Sequence, residues 1–294
     1  MRLVRYRSRG GGPVQIGVRS DGSVKSLAPD GESEMRKILM ASEAELRTLA
    51  EKSQTSAKLD SVDLLSPVAR PPHIYALAQN YTAGGRAAIA EDTTPFIFPK
   101  STFDVSGPND DIVLWDLGRD VVEEIELAVI IGRPGRNVAR KDALGHVAGY
   151  TIANDVSARK LDLRVGRHPH KFEPFFDWLT GKLFDGYAVL GPEIVTKAEL
   201  PDTRGLAMRT RVNGEVRVEG STSSMVFGID EVVSFVSRVA ELTTGDVIMT
   251  GMPHTGRPEV FLKPGDAIEG EIERVGVLRN KAVAPKDVKG GNTK

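Results

Sequence analysis

Three acidic residues carry most of the chemical potential of this chain. Glu124 and Glu126 lie two apart in Glu124-Ile125-Glu126-Leu127-Ala128-Val129-Ile130-Ile131, and Asp155 closes Tyr150-Thr151-Ile152-Ala153-Asn154. Two carboxylates on one side of a strand repel each other unless something positive sits between them. If Asp155 ends beside that pair, three oxygen ligands converge with no Cys and no required His. Such a set suits a hard cation, Mg²⁺ or Mn²⁺ before Zn²⁺ or Cu²⁺. Two plainer uses stand beside this one. A Glu-x-Glu pair also serves as the solvated face of a strand, and Asp155 suits the N-cap of a helix through Val156-Ser157-Ala158-Arg159-Lys160-Leu161.

The elements that must position these groups are short. Residues 124–131 are rich in β-branched side chains and closed by Gly132, which predicts a strand. Alternation puts Glu124 and Glu126 on one face and Ile125, Leu127, Val129 and Ile131 on the other. Upstream, Val4-Arg5-Tyr6 and Val14-Gln15-Ile16-Gly17-Val18 alternate, and Asp21-Gly22 is a turn signal, so the first thirty or so residues read as a hairpin region. Gly10-Gly11-Gly12-Pro13 lacks the Lys-Ser/Thr of a phosphate loop and reads as a turn. Met35, Ile38 and Leu39 recur at helical spacing, and Ser42-Glu43-Ala44-Glu45 is a capping box before Leu46, Leu49 and Ala50. Pro67, Pro71 and Pro72 mark a joint after Ser66. The expected division is a small N-terminal domain over 1–66, a larger domain over 67–284, and a polar, Gly-rich tail over 285–294 that is disordered.

In the larger domain Ile74-Tyr75-Ala76-Leu77-Ala78 reads as a buried strand, and Pro108-Asn109-Asp110-Asp111 as a turn into Ile112-Val113-Leu114-Trp115. Asn213-Gly214 predicts a type I′ hairpin. Asp230 is read as the cap of a helix whose buried stripe is Val232, Val233, Phe235, Val236 and Val239. Thr244-Gly245-Asp246 and Pro264-Gly265-Asp266 lead into strands. Between them, Thr250-Gly251-Met252-Pro253-His254-Thr255-Gly256 is a loop able to aim backbone N–H groups at an anion. His254 in it is a candidate acid–base group. The basic stretch Arg164–Phe172 holds His168 and His170 about Pro169. The proline makes joint ligation of one ion awkward, and a mobile lid is the reading.

Composition narrows the classes. With 40% hydrophobic and 27% charged residues in 294, the chain has the make-up of a soluble globular protein with a substantial core. A formal net charge of −1 gives no electrostatic case for nucleic acid or an anionic membrane as partner. The absence of Cys removes disulfides, thiolate metal sites and a Cys nucleophile. No apolar stretch approaches a membrane span and Met1–Gly12 has no signal-like apolar core, so a cytoplasmic enzyme is expected.

The order of these segments resembles the fumarylacetoacetate hydrolase superfamily. The likeness is carried by the Glu-x-Glu strand, Gly149-Tyr150-Thr151-Ile152-Ala153-Asn154-Asp155-Val156-Ser157-Ala158-Arg159 and Lys182-Leu183-Phe184-Asp185-Gly186. It continues through Leu190-Gly191-Pro192, Val212-Asn213-Gly214-Glu215, residues 244–251 and 262–266, and covers roughly residues 67–284. The resemblance implies an α+β fold, a rolled mixed β-sheet catalytic domain with a small N-terminal α+β domain, in a homodimer. It places a metal, Mg²⁺ or Mn²⁺, on Glu124, Glu126 and Asp155, Lys182 near that metal, and Lys100 near a substrate carboxylate. Tyr81, Arg86, Arg159, Thr250 and Gly251 fall at its substrate, with Arg86, His168 and His170 read as lid residues that meet a substrate group. The family pattern N-Y-x-x-H-x-x-E is departed from, since Asn80 and Tyr81 match but Gly84 and Ala87 replace its acid–base pair. Met252 likewise stands in place of a Thr. The resemblance thus implies metal-dependent chemistry on a 2-oxo acid through an enolate. Decarboxylation, dehydration or tautomerisation, with Lys182, Lys100 or His254 relaying protons, is favoured over C–C hydrolysis by a replacement base or a catalytically silent ligand-binding relative.

Overall fold

A computed structural model describes residues 1–82, 93–163, 170–253 and 259–287. The alternating N-terminal segment forms three antiparallel strands, Arg2–Ser8, Gln15–Ser20 and Ser23–Pro29. The first of these pairs antiparallel with Ala188–Thr196, far along the chain. One mixed sheet therefore runs from Ser56–Lys58 through the N-terminal strands to Ala188–Thr196, Val147–Asp155, Ile125–Ile131, Val247–Met249, Ile74–Ala78 and Phe96–Pro99. Val247–Met249 and Ile74–Ala78 are parallel neighbours, and the steps on either side of them are antiparallel.

The strand Ile125–Ile131 is buried along its whole length because both its faces are covered. Ile125, Leu127, Val129 and Ile131 pack with Ile268, Ile272 and Leu278 of a second, five-stranded sheet and with Val232 and Val236 of the helix Ile229–Val239. Ala128 and Ile130 pack on the opposite side with Leu3, Ile38 and Leu39, so the helix Glu32–Met40 closes that face. Few helices on a sheet-rich body make this an α+β fold.

Local expectations resolve in both directions. The capping box at Ser42 and Glu45 forms, starting the helix Glu43–Lys52. Asn213 and Gly214 take φ of 53° and 81° between Ala207–Val212 and Glu215–Ser221, as a type I′ turn requires. Asp230 is not a cap. The helix begins after Gly228, and Asp230, in its first turn, accepts from Arg140 Nε at 2.7 Å. Val239 of the expected stripe is exposed, since it lies in the last turn as the chain leaves the core. Pro285–Asp287 form a 3₁₀ turn, while the rest of the expected tail, 288–294, lies outside the described residues. No helix among the described residues is long and apolar enough to cross a membrane.

Candidate active site

Glu124 immediately precedes the strand Ile125–Ile131, and the neighbouring strand Val147–Asp155 holds it from two sides. Its N–H donates to Asn154 Oδ1 at 2.9 Å, and its carbonyl accepts from Asp155 N–H at 2.9 Å. The register that pairs Ile125 with Asn154 thus sets Asp155 beside Glu124, and Glu126 follows on the same side. Ligand oxygens of all three carboxylates lie within 4.8 Å of one another. Both plainer readings fall. Asp155 caps no helix, because Ser157–Leu161 is a strand paired with Gly118–Val122. Nor is the Glu pair a solvated face, since Glu126 and Asp155 are each 1% exposed.

Two lysines and an arginine reach this cluster from separate elements. Lys182 follows the helix Glu173–Thr180 and is delivered by Gly181, whose carbonyl accepts from Ala158 N–H at 3.0 Å. A Cβ on Gly181 would stand 2.0 Å from the Ala158 carbonyl oxygen, so only glycine allows the approach. Lys182 Nζ donates to Glu124 Oε2 at 2.7 Å and to Asp155 Oδ2 at 2.6 Å. Lys100 Nζ lies 2.6 Å from Asp155 Oδ1 and donates to the Val156 carbonyl at 3.0 Å. Arg159 pairs with Glu124 Oε1 at 2.7 Å and with Glu259 through Nε at 3.0 Å.

This charge pattern decides which groups are ionised. Burial pushes the Asp155 carboxyl up, but Lys100 and Lys182 more than offset it and hold it below the ordinary range. Burial opposes the Lys182 ammonium, yet Asp155 and Glu124 keep its pKa above the usual value. Lys100 goes the other way, pulled down by burial further than Asp155 raises it. Glu126 is pushed well above the carboxylate range by burial and then by Asp155 and Glu124. Gly251 N–H donates to its Oε2 at 2.6 Å without reversing that. The all-oxygen donor set, and the carboxyl that burial and its two acidic neighbours hold above the ordinary range, both fit a hard divalent ion.

The cluster borders a cavity of about 730 Å³ lined by Glu124, Glu126, Arg159, Lys182 and Gly251, with Phe98 and Trp178 also in its wall. The two rings meet edge-on at 4.8 Å. Gly251 takes φ +85°, and a Cβ there would press on Asn80 and Tyr81 at 3.3 Å. A larger cavity, about 870 Å³, lies against the N-terminal segment. In its wall Arg5 pairs with Asp30 and Arg36 with Glu32.

The remaining candidates disperse. Tyr81 is buried, its hydroxyl donating to Met208 Sδ at 3.5 Å, and burial raises its phenol pKa. The Thr250 hydroxyl donates to the Leu127 carbonyl at 2.8 Å. Neither residue lines the cavity. Gly251 N–H is turned to Glu126 rather than to an outside anion. Arg86, His168, His254 and the two replaced dyad positions, Gly84 and Ala87, lie outside the described residues. His170 is exposed, its Nδ1 accepting from Phe172 N–H at 3.3 Å, and it is not in the cavity wall.

Sequence reasoning missed Glu123, Trp178, Arg217 and Glu259, all of which line the cavity. The acidic run Glu123-Glu124 was visible, but strand alternation would have sent Glu123 to the far side. It lies ahead of the strand instead, and burial pushes its carboxyl up to about 7. Asn80, matched only as part of a motif, is a buried tie. Its Oδ1 accepts from Phe227 N–H at 2.8 Å, and its Nδ2 donates to the Thr250 carbonyl at 2.8 Å.

Residues 73–283 match the family described as fumarylacetoacetate hydrolase, C-terminal. The mitochondrial oxaloacetate tautomerase FAHD2A of Bos taurus is 36% identical over 96% of this chain and 92% of its own length. Among solved structures, 5-carboxymethyl-2-hydroxymuconate delta-isomerase from Mycobacterium smegmatis is 32% identical with a TM-score of 0.73, covering 97% of this chain and 100% of that one. Maleylpyruvate hydrolase from Sphingobium sp. SYK-6, in complex with manganese(II) and pyruvate, is 28% identical with a TM-score of 0.77, covering 97% and 99%.

Proposed function

This chain belongs to the fumarylacetoacetate hydrolase family, and from that premise we propose that it is a divalent-metal-dependent enzyme interconverting keto and enol forms of a 2-oxo carboxylic acid. The observation that carries the reading is the meeting of three carboxylates and two buried lysines beside a cavity that Glu124, Glu126 and Lys182 line. Glu124, Glu126 and Asp155 would hold the ion, Mg²⁺ or Mn²⁺. When bound, it supplies Lewis acidity that makes the C–H beside a 2-oxo group easier to ionise. Lys182, held as an ammonium by two carboxylates, is the donor for the ketone oxygen. Lys100 does not line the cavity and stays on Asp155 and the Val156 carbonyl, so it positions that carboxylate, and the amine left on Lys182 takes the proton from carbon. One proton leaves carbon and one arrives at oxygen, so the step balances as a tautomerisation. Arg159 offers a guanidinium to the substrate carboxylate once its hold on Glu124 is relaxed.

Similarity to oxaloacetate tautomerases over almost the whole chain supports isomerisation. The likeness to a maleylpyruvate hydrolase supports C–C hydrolysis as the second reading. Hydrolysis needs a base on water, worth about 10²–10⁴-fold, and Gly84 and Ala87 cannot supply one. The test is the ultraviolet decay of enol-oxaloacetate with Mn²⁺-loaded protein, with NMR identification of products. Catalysed decay without loss of carbon, abolished by Glu126→Gln, is expected. Carbon dioxide and pyruvate would make the enzyme a decarboxylase, and two acids from an acylpyruvate would make it a hydrolase. No turnover with intact metal binding would leave a ligand-binding relative.

A further inference from the structure

Arg159 joins the carboxylate cluster to an acid that lies outside it. Its strand Ser157–Leu161 pairs with Gly118–Val122, and Leu262 N–H donates to the Val121 carbonyl of that second strand at 2.7 Å. The anchor brings Glu259, three residues earlier, over the arginine. Arg159 Nε donates to both Glu259 oxygens at 3.0 Å, and its Nη2 donates to Glu259 Oε1 while pairing with Glu124 Oε1 at 2.7 Å. One guanidinium thus holds two carboxylates, and all three residues line the cavity.

The two carboxylates differ in what they are needed for. Glu124 belongs to the candidate metal set. Glu259 does not, and its side chain is 48% exposed. An ion pair that open to water adds little to stability. Its geometry is the informative part, because a carboxylate on the Nε and Nη2 edge is how arginine takes up a carboxylate ligand. The guanidinium that faces the cavity therefore already carries an anion of its own chain. A substrate carboxylate cannot join it on that edge, since a third negative charge would then meet Glu124 and Glu259 together. It has to displace Glu259, which is half-exposed and can turn to water.

We propose that Glu259 is a built-in competitor of the substrate. Its carboxylate holds the place on Arg159 that the substrate's carboxylate takes, and binding is the exchange of one for the other. Glu259 thereby sets affinity and also selects, because a ligand without a carboxylate has nothing to put in its place. This rests on the reading that a carboxylic acid binds beside Glu124, Glu126 and Asp155.

The test is titration calorimetry of protein saturated with Mn²⁺. Oxalate and 2-oxoglutarate are the carboxylate probes, and acetohydroxamate is a chelator of two oxygens with no carboxylate. Glu259→Gln removes the charge and keeps the shape. At least one carboxylate probe should bind that variant about 3- to 10-fold more tightly than wild type, as expected when an arginine is freed from a half-exposed partner. Acetohydroxamate should bind both proteins alike. Arg159→Met should weaken the same carboxylate probe, and adding Glu259→Gln to it should then restore nothing. Mn²⁺ uptake and melting report whether each variant is folded and loaded. Should Arg159→Met not fold, the contrast between carboxylate and hydroxamate on Glu259→Gln decides alone. Unchanged or weaker binding of both carboxylates by Glu259→Gln would overturn the inference and make the pair a structural one. An equal gain for acetohydroxamate, or a gain that persists without Arg159, would overturn it too, by showing only a general effect of the removed charge. Each of these results leaves the metal-centred reading in place. Failure of oxalate to bind Mn²⁺-loaded wild type sinks that reading and the exchange with it.

Discussion

Replacing Lys182 by Met keeps the length of the side chain and removes its charge. The ammonium is 3% exposed and touches Glu124 and Asp155 at 2.7 and 2.6 Å, so the pair is a buried one. Removing one partner from such a pair costs about 3–5 kcal/mol, because the other charge is left uncompensated. The Phe98 and Trp178 rings at 5.1 and 5.8 Å lose a cation as well, but a Met sulfur against them returns about 0.3–1.5 kcal/mol. The net loss in metal-free protein is roughly 2–4 kcal/mol. At about 2–4 °C per kcal/mol, Tm should fall by roughly 5–15 °C. A divalent ion among the same carboxylates supplies the missing charge, so the deficit should shrink by more than half in saturating Mn²⁺. Differential scanning of wild type and variant, each in EDTA and in Mn²⁺, separates the two effects. The reasoning is refuted if the deficit is the same with and without the ion, or if the variant melts with wild type in EDTA.

Glu126→Gln keeps an acceptor for Gly251 N–H and mimics the protonated carboxyl, so metal-free stability should change by less than about 1 kcal/mol. The stabilisation by excess Mn²⁺, about 2.7 kcal/mol at a hundred times Kd, should vanish in that variant, as read by the melting shift. The raised Glu126 carboxyl means that metal-free protein holds this proton more tightly when folded. That contribution is present below about pH 4, near the unfolded value, and is lost as pH rises through the raised folded value. Asp155, depressed, contributes in the opposite sense, and its share is lost as pH falls through its folded value. Metal uptake should accordingly tighten with rising pH and release a proton, visible by calorimetry in buffers of different ionisation enthalpy. A pH-independent affinity would contradict this. Asn80→Ala strands the Phe227 N–H and the Thr250 carbonyl, costing about 2–4 kcal/mol in urea unfolding, whereas a loss below 1 kcal/mol would show that water replaces the amide. A homodimer, with Phe172, Phe175 and Phe176 exposed on each chain to be covered, should sediment at twice the chain mass, and a monomer at micromolar concentration would contradict it.

The strand beside Glu124 and Glu126 was legible because alternation alone fixes which side chains share a face, and two carboxylates two residues apart must share one. Asp155 was ambiguous by itself. Asp before Val-Ser-Ala-Arg satisfies a helix cap as well as a strand end, and only the pairing of Ser157–Leu161 with Gly118–Val122 decides between them. The prolines after Ser66 mark a joint in the chain, but nothing local announces that Arg2–Ser8 pairs with Ala188–Thr196. Long-range pairing of that kind leaves no periodic signature. The distal cavity wall was hidden for a similar reason. Arg217 comes from a different sheet, and no spacing in the sequence relates it to Glu123. Gly251 was read as a donor to an outside anion, and its partner proved to be a carboxylate of the site.

Anomalous diffraction at the manganese edge, from crystals grown with Mn²⁺, tests the central claim most directly. A single strong peak bounded by Glu124, Glu126 and Asp155, with the Lys182 ammonium moved off the carboxylates it bridges without metal, is the predicted result. Featureless density there, with the lysine still joining Glu124 to Asp155 at saturating Mn²⁺, would contradict the account.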